Sequence, residues 1–112
     1  NLPRPVLYGS YHGMRVLGRE AGASTLPQIV AGPLCESADV FTQDERGEHV
    51  PRMLPALAVG DVLCIETAGA YAASMGSNYN SQPLAAEVLV DEGRARVVRR
   101  RQSVTEIWAG EE

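Results

Sequence analysis

The sequence predicts a mainly β protein, an antiparallel β-sandwich or Greek-key β-barrel with short helices. Two observations carry that prediction. Short apolar runs recur along the chain, each cut off by glycine or proline, and no stretch sustains the 3.6-residue period of a long amphipathic helix. Late in the chain two such runs, residues 84–90 and 94–101, flank Asp91-Glu92-Gly93, a three-residue connection with glycine last that reads as the turn of a β-hairpin.

The elements follow in order. Residues 4–8, Arg-Pro-Val-Leu-Tyr, suit a brief helical turn leading into a strand over residues 12–17, with Arg15 toward solvent. Residues 18–25 are rich in glycine, alanine and serine and form a loop. Residues 26–31 are a short strand that Gly32-Pro33 stops. Residues 40–52 are charge-rich, contain Gly47 and Pro51 and lack a period, so they are an exposed excursion. Residues 53–57 return toward the core, and Val59-Gly60-Asp61 turns the chain into a buried strand over residues 62–67, where Cys64 is a core residue. Residues 68–76 have few large side chains, which suits backbone lying close to another body, and one helical turn is expected over residues 74–79. Ser103 and Glu106 have the spacing of a capping box, so a short helix is predicted there.

At 112 residues the chain is one domain, well short of the roughly 250 residues of a (β/α)₈ barrel. Its net charge of −4 gives no electrostatic reason to bind nucleic acid or an anionic membrane. The basic run Arg99-Arg100-Arg101 sits in a strand whose alternation sends neighbours to opposite faces, and reads as a solvated or interface edge. No apolar run approaches the 18 or so residues of a membrane span, and the first residues lack the pattern of a signal peptide, so a soluble cytoplasmic protein is expected. Two cysteines in such a chain are expected to stay reduced. Their spacing from each other and from His12 and His49 does not suggest zinc.

The densest chemistry lies in Gly32-Pro33-Leu34-Cys35-Glu36-Ser37-Ala38-Asp39, where a thiol, two carboxylates and a hydroxyl crowd onto a turn at a strand end. Together with Gly69-Ala70-Tyr71 and Ser77-Asn78-Tyr79-Asn80-Ser81, with Arg4-Pro5-Val6-Leu7-Tyr8 before them and Arg99-Arg100-Arg101-Gln102 after, this stretch resembles the C-terminal domain of the diaminopimelate decarboxylases. These are pyridoxal-phosphate enzymes of lysine biosynthesis, within the alanine-racemase and ornithine-decarboxylase-like group. These separated blocks, in the family's order, run nearly end to end.

The resemblance implies that residues 1–112 are the C-terminal β domain of such an enzyme, with the cofactor-binding barrel outside this chain. The chain contains no lysine, and pyridoxal phosphate is held through a lysine Schiff base, so this chain cannot make that bond itself. Cys35 is similar to the family's cysteine that reaches the partner subunit's cofactor and returns a proton to the carbanion left by loss of carbon dioxide. An ordinary thiol, with a pKa of about 8.5, is protonated near neutrality and can still yield its proton to a basic carbon. Glu36 matches the glutamate that accepts from a substrate ammonium. Arg4 and Tyr8 match residues holding the substrate's distal carboxylate, a task suited to a guanidinium fork and a phenol. Tyr71 matches a tyrosine that serves the substrate and donates to the cofactor phosphate. The family's arginine after the serine is replaced here by Gln82. The expected partners are the chain's own N-terminal barrel, a second subunit in a homodimer and a small amino-acid substrate. Related ornithine, arginine and carboxynorspermidine decarboxylases, a free cysteine enzyme pairing Cys35 with His12, and a non-catalytic sheet module remain as other readings.

Overall fold

A computed structural model describes residues 8–19 and 24–111. Its strands are β1 (Met14–Val16), β2 (Thr25–Gln28), β3 (Arg52–Pro55), β4 (Leu63–Ile65), β5 (Glu87–Asp91) and β6 (Arg94–Arg99). All pair antiparallel, in three two-stranded ladders, β1 with β4, β2 with β3 and β5 with β6. The helical elements lying wholly within the described residues are short: α1 (Gly69–Ser74) and single 3₁₀ turns at Tyr79–Ser81 and Val104–Glu106. The mainly β, antiparallel class expected from the punctuated apolar runs is therefore present.

The β1–β4 ladder pairs Met14 with Ile65 and Val16 with Leu63, and is extended by Leu17 N–H to the Val62 carbonyl at 2.9 Å and Glu66 N–H to the Gly13 carbonyl at 2.8 Å. β3 packs beside β1. Val16, Val30 and Leu54 form the buried apolar centre, with His12 and Thr42 as its buried polar members. Each polar member is satisfied. Thr42 Oγ1 accepts from Val30 N–H at 3.0 Å, and His12 Nδ1 donates to the Glu66 carbonyl at 3.1 Å while Nε2 faces the Ser10 hydroxyl. A buried amide without a partner is costly, so Thr42 holds the end of the segment after β2 in place.

Four expectations are corrected. The excursion over residues 40–52 is exposed over residues 45–51, as expected, but its first limb turns inward. Ala31 bridges Val40 and Gln43 bridges His49, which draws Thr42 to full burial. The strand over residues 62–67 is shorter and half-buried, with Cys64 in β4 opposite Arg15. The helix lies at residues 69–74, earlier than the expected 74–79, because three alanines favour a helix strongly enough to outweigh its leading glycine. The hairpin turn has two residues. Asp91 pairs with Arg94, leaving Glu92 and Gly93, whose φ of 47° and 73° fit the tight primed turn that matches strand twist. The capping box forms as expected: Glu106 accepts from Ser103 N–H at 2.7 Å, and is paired with Arg100.

The hairpin has two unlike faces. Val88 opposite Val97 and Val90 opposite Ala95 share one face, while Asp91 opposite Arg94 and the Glu87–Arg99 ion pair share the other. Every residue of β6 is exposed. The accessible surface is 8206 Å², against about 6,000 Å² for a compact monomer of 12.0 kDa, and the radius of gyration is 15.8 Å against about 13 Å. Much apolar surface thus stays uncovered by the chain itself.

Two outcomes test this arrangement. Leu54→Ala is expected to destabilise the fold by about 2–5 kcal/mol, whereas Met53→Ala, one residue away on the exposed side of β3, is expected to stay within about 0.5 kcal/mol, read from denaturant midpoints. The Arg100 and Ser103 hydrogen bonds hold Glu106 well below the usual carboxylate range. A lowered carboxylate contributes stability that is complete above its unfolded pKa and is lost as pH falls toward the folded one. Thermal stability should therefore decline from about pH 5 downward, and Glu106→Gln should flatten that decline.

Candidate functional site

The loop from Gly32 to Asp39 is closed at its base by the Ala31–Val40 bridge. Gly32 N–H donates to the Asp39 carbonyl at 2.8 Å and Asp39 N–H donates to the Glu36 carbonyl at 3.1 Å. The Asp39 carboxylate turns inward, taking Leu34 N–H at 2.9 Å. That carboxylate fills the space where a side chain at residue 32 would begin, so a Cβ there would collide with it. Glycine at position 32 is a requirement of close approach rather than of dihedral angle.

With Asp39 committed to the backbone, Cys35, Glu36 and Ser37 are the polar side chains the loop presents to solvent. Glu36 Oε1 accepts from Ala38 N–H at 3.0 Å and from the Ser37 hydroxyl at 3.2 Å. Its Oε2 accepts from the Tyr79 hydroxyl at 3.1 Å. The Ala38 bond, then those of Tyr79 and Ser37, hold the Glu36 carboxyl below its usual range, and the same contact raises the Tyr79 phenol. Glu36 is thus a fixed anion beside the thiol.

Beneath the loop lies a cleft of about 360 Å³ with Pro33, Leu34 and Phe41 on one side, Ala68, Ala72 and Gly76 around α1 on another, and Pro83 and Leu84 closing it. The walls are mainly apolar, with Gln82 the polar side chain among them. Tyr71, the third residue of α1, is half exposed. Its phenol is a donor of the kind a phosphate oxygen accepts. Tyr8 is exposed and helical. Arg4 lies outside the described residues.

The structure brings Glu36 together with Tyr79, a contact across 43 positions that the sequence had not suggested. On sequence alone Tyr79 has no role beyond its place in the Ser77-Asn78-Tyr79-Asn80-Ser81 motif. The one available signal was its place in a polar turn motif next to the helix that carries Tyr71. Both ring nitrogens of His12 are engaged by Glu66 and Ser10, so His12 is a structural residue and not the base of Cys35. Cys35 and Cys64 are both free thiols. Among the described residues no helix is long and apolar enough to cross a membrane.

Comparison with known proteins places this geometry. The family described as pyridoxal-dependent decarboxylase, C-terminal sheet domain, matches residues 1–69. A diaminopimelate decarboxylase of Escherichia coli (strain K12) is 51% identical over 97% of this chain and 27% of its own length. One from Streptomyces coelicolor is 48% identical over 99% of this chain and 26% of its own. Among solved structures, a diaminopimelate decarboxylase superposes with a TM-score of 0.91 at 54% identity, covering 96% of this chain and 27% of that one. The Helicobacter pylori diaminopimelate decarboxylase complexed with L-lysine superposes at 0.80 with 37% identity, over 96% of this chain and 25% of that one. The chain spans about a quarter of the length of these relatives.

Gly32→Ala is expected to push the Asp39 carboxylate off Leu34 and to speed amide hydrogen exchange at Leu34 and Asp39, while Gly69→Ala, where nothing lies within 4 Å, leaves the loop unchanged. Equal exchange in the two variants would remove Asp39 as the brace.

Proposed function

The chain belongs to the C-terminal sheet domain family of the pyridoxal-dependent decarboxylases, and we propose that it is that domain of a diaminopimelate decarboxylase, which converts meso-2,6-diaminopimelate to L-lysine and carbon dioxide. The observation that carries this reading is the exposed Cys35–Glu36 pair on a braced loop, in a chain half identical to enzymes of that name. The cofactor, held by the part of the enzyme outside this chain, supplies the electron sink that makes loss of the carboxylate feasible. The donor chemistry here fits it: Tyr71 offers a phenol to its phosphate, and the absence of lysine leaves covalent attachment to the barrel.

The residues of this chain then have separate tasks. Glu36, already ionised and oriented, accepts a hydrogen bond from a substrate ammonium group. Arg4 and Tyr8 take the distal carboxylate, which separates a diamino diacid from lysine itself, because a site built for a carboxylate leaves its cation unpaired when that group is missing. Cys35 holds a proton at Sγ and delivers it to the carbon that has lost its carboxylate. The apolar cleft under the loop becomes part of a seam against the barrel and keeps water from competing for that proton.

Cys35 and Glu36 serve the barrel of the partner subunit, while Arg4, Tyr8 and Tyr71 serve their own, in a two-fold dimer with an isologous interface. The surface left uncovered by this chain supports such docking. The protein is expected in the cytoplasm with the other soluble enzymes of amino-acid biosynthesis.

In the complete enzyme, Cys35→Ala should lower kcat by roughly 10²–10⁴-fold with little change in KM, since a proton donor acts in the transition state. Mixing that variant with an enzyme lacking the barrel's Schiff-base lysine should restore part of the activity after subunit exchange. Normal turnover by Cys35→Ala would remove the proton-donor role. Verified exchange without recovery would return Cys35 to its own subunit's site.

A further inference from the structure

Glu36 is held from two directions that differ in kind. Ala38 and Ser37 are its immediate neighbours on the loop and both bind Oε1. Oε2 is bound from a separate segment, by the Tyr79 hydroxyl. Donors that all grip one oxygen fix the position of a carboxylate but leave its plane free to swing. The bond at the second oxygen sets the plane. An ionised carboxylate has about four acceptor sites, and three are occupied, so one directional site remains for an incoming donor.

Tyr79 is built to stay where it is. Asn80 and Ser81 follow it with φ of 54° and 55°, two left-handed residues in succession without a glycine. Such a turn persists only where its surroundings determine it. Here Asn78 Nδ2 donates to the Gln82 carbonyl at 3.0 Å and to Gln102 Oε1 at 2.6 Å. Gln102 Oε1 also accepts from Leu84 N–H at 3.0 Å, and Gln102 N–H donates to the Leu84 carbonyl at 3.1 Å. The turn is thereby clamped to the chain that leaves β6. The Tyr79 ring is half exposed, so core packing does not account for it.

From this geometry we infer that Tyr79 is a positioning residue for substrate recognition: it orients the Glu36 carboxylate so that its remaining acceptor site meets the substrate ammonium. The inference rests on the reading of Glu36 as the ammonium acceptor. It assigns to the Asn78–Gln102 clamp the task of holding Tyr79, and links the hairpin's exit to the specificity of the cysteine loop. The lowered Glu36 carboxyl fits this role, because an acceptor for an ammonium must be ionised at working pH.

The test compares Tyr79→Phe, Glu36→Gln and the double variant in the complete enzyme with meso-diaminopimelate as substrate. Tyr79→Phe keeps the ring and removes only the hydroxyl. It should raise KM roughly three- to tenfold, the scale of one net hydrogen bond, with kcat changed less than twofold and thermal stability unaltered. Glu36→Gln should raise KM at least as much, and adding Tyr79→Phe to it should change nothing further, since the group being oriented is gone. An unchanged KM in Tyr79→Phe beside a weakened Glu36→Gln would overturn the inference alone. So would a double variant whose KM is raised by the product of the single effects, or a Tyr79→Phe effect confined to kcat. A Glu36→Gln enzyme with unaltered KM would overturn the reading of Glu36 and the inference with it.

Discussion

The inward turn of the Asp39 carboxylate is the constraint on which the site depends. Residues 32–39 carry more polar groups than a short loop can leave in water and still hold one shape. Asp39 resolves this by capping Leu34 N–H inside the loop while its backbone closes the ring with Gly32. Once that carboxylate is spent on structure, the second one, Glu36, is left facing outward with Cys35. The loop thus separates two chemically similar acids into an inward brace and an outward-facing anion. Gly32 follows from the same arrangement, since the brace occupies the volume of a side chain there.

The described residues bury a small apolar centre and leave many large apolar side chains exposed. Val16, Val30 and Leu54 are the buried apolar residues among those described, whereas Val88, Val90 and Val97 stand exposed on one face of the hairpin. At about 25 cal/mol per Å² of apolar surface, covering even a few hundred Å² favours docking by several kcal/mol before the costs of association. Under the proposed function, contact with another body would complete the fold, and the cysteine loop over its apolar cleft would lie inside that contact.

Sequence patterns made the class of the fold, the hairpin and the terminal capping box legible, because each depends on residues close together in the chain. The hairpin's turn length was misjudged by one residue. Asp91 looks like a turn residue, but its pairing with Arg94 across the ladder outweighs that preference. The helix at residues 69–74 was hidden by its glycine start, although its alanines decide the local balance. Thr42 was unreadable for a different reason. Its burial follows from the distant pairing of residues 31 and 40, and nothing in its polar surroundings announces it. Cys35 and Glu36 stood out through their dense motif, whereas Tyr79 did not, since its partner is 43 positions away and neither periodicity nor spacing encodes such a contact.

That long-range contact changes how the parts of the site relate. Cys35 and Glu36 are adjacent in sequence but fall under different control. The loop's own backbone bonds position the thiol, and the plane of the neighbouring carboxylate is set from the Tyr79 turn, which is in turn anchored at Gln102 beyond β6. Under the proposed function, proton delivery and substrate recognition could then be tuned separately, the first by changes within residues 32–39 and the second by changes in the clamp. On that same proposal Glu36 meets a substrate held by a different subunit, and cannot rely on that substrate to order it beforehand. Holding Glu36 from a second, rigid segment pre-pays the orientation before the subunits meet, so that binding is not spent on arranging the acceptor.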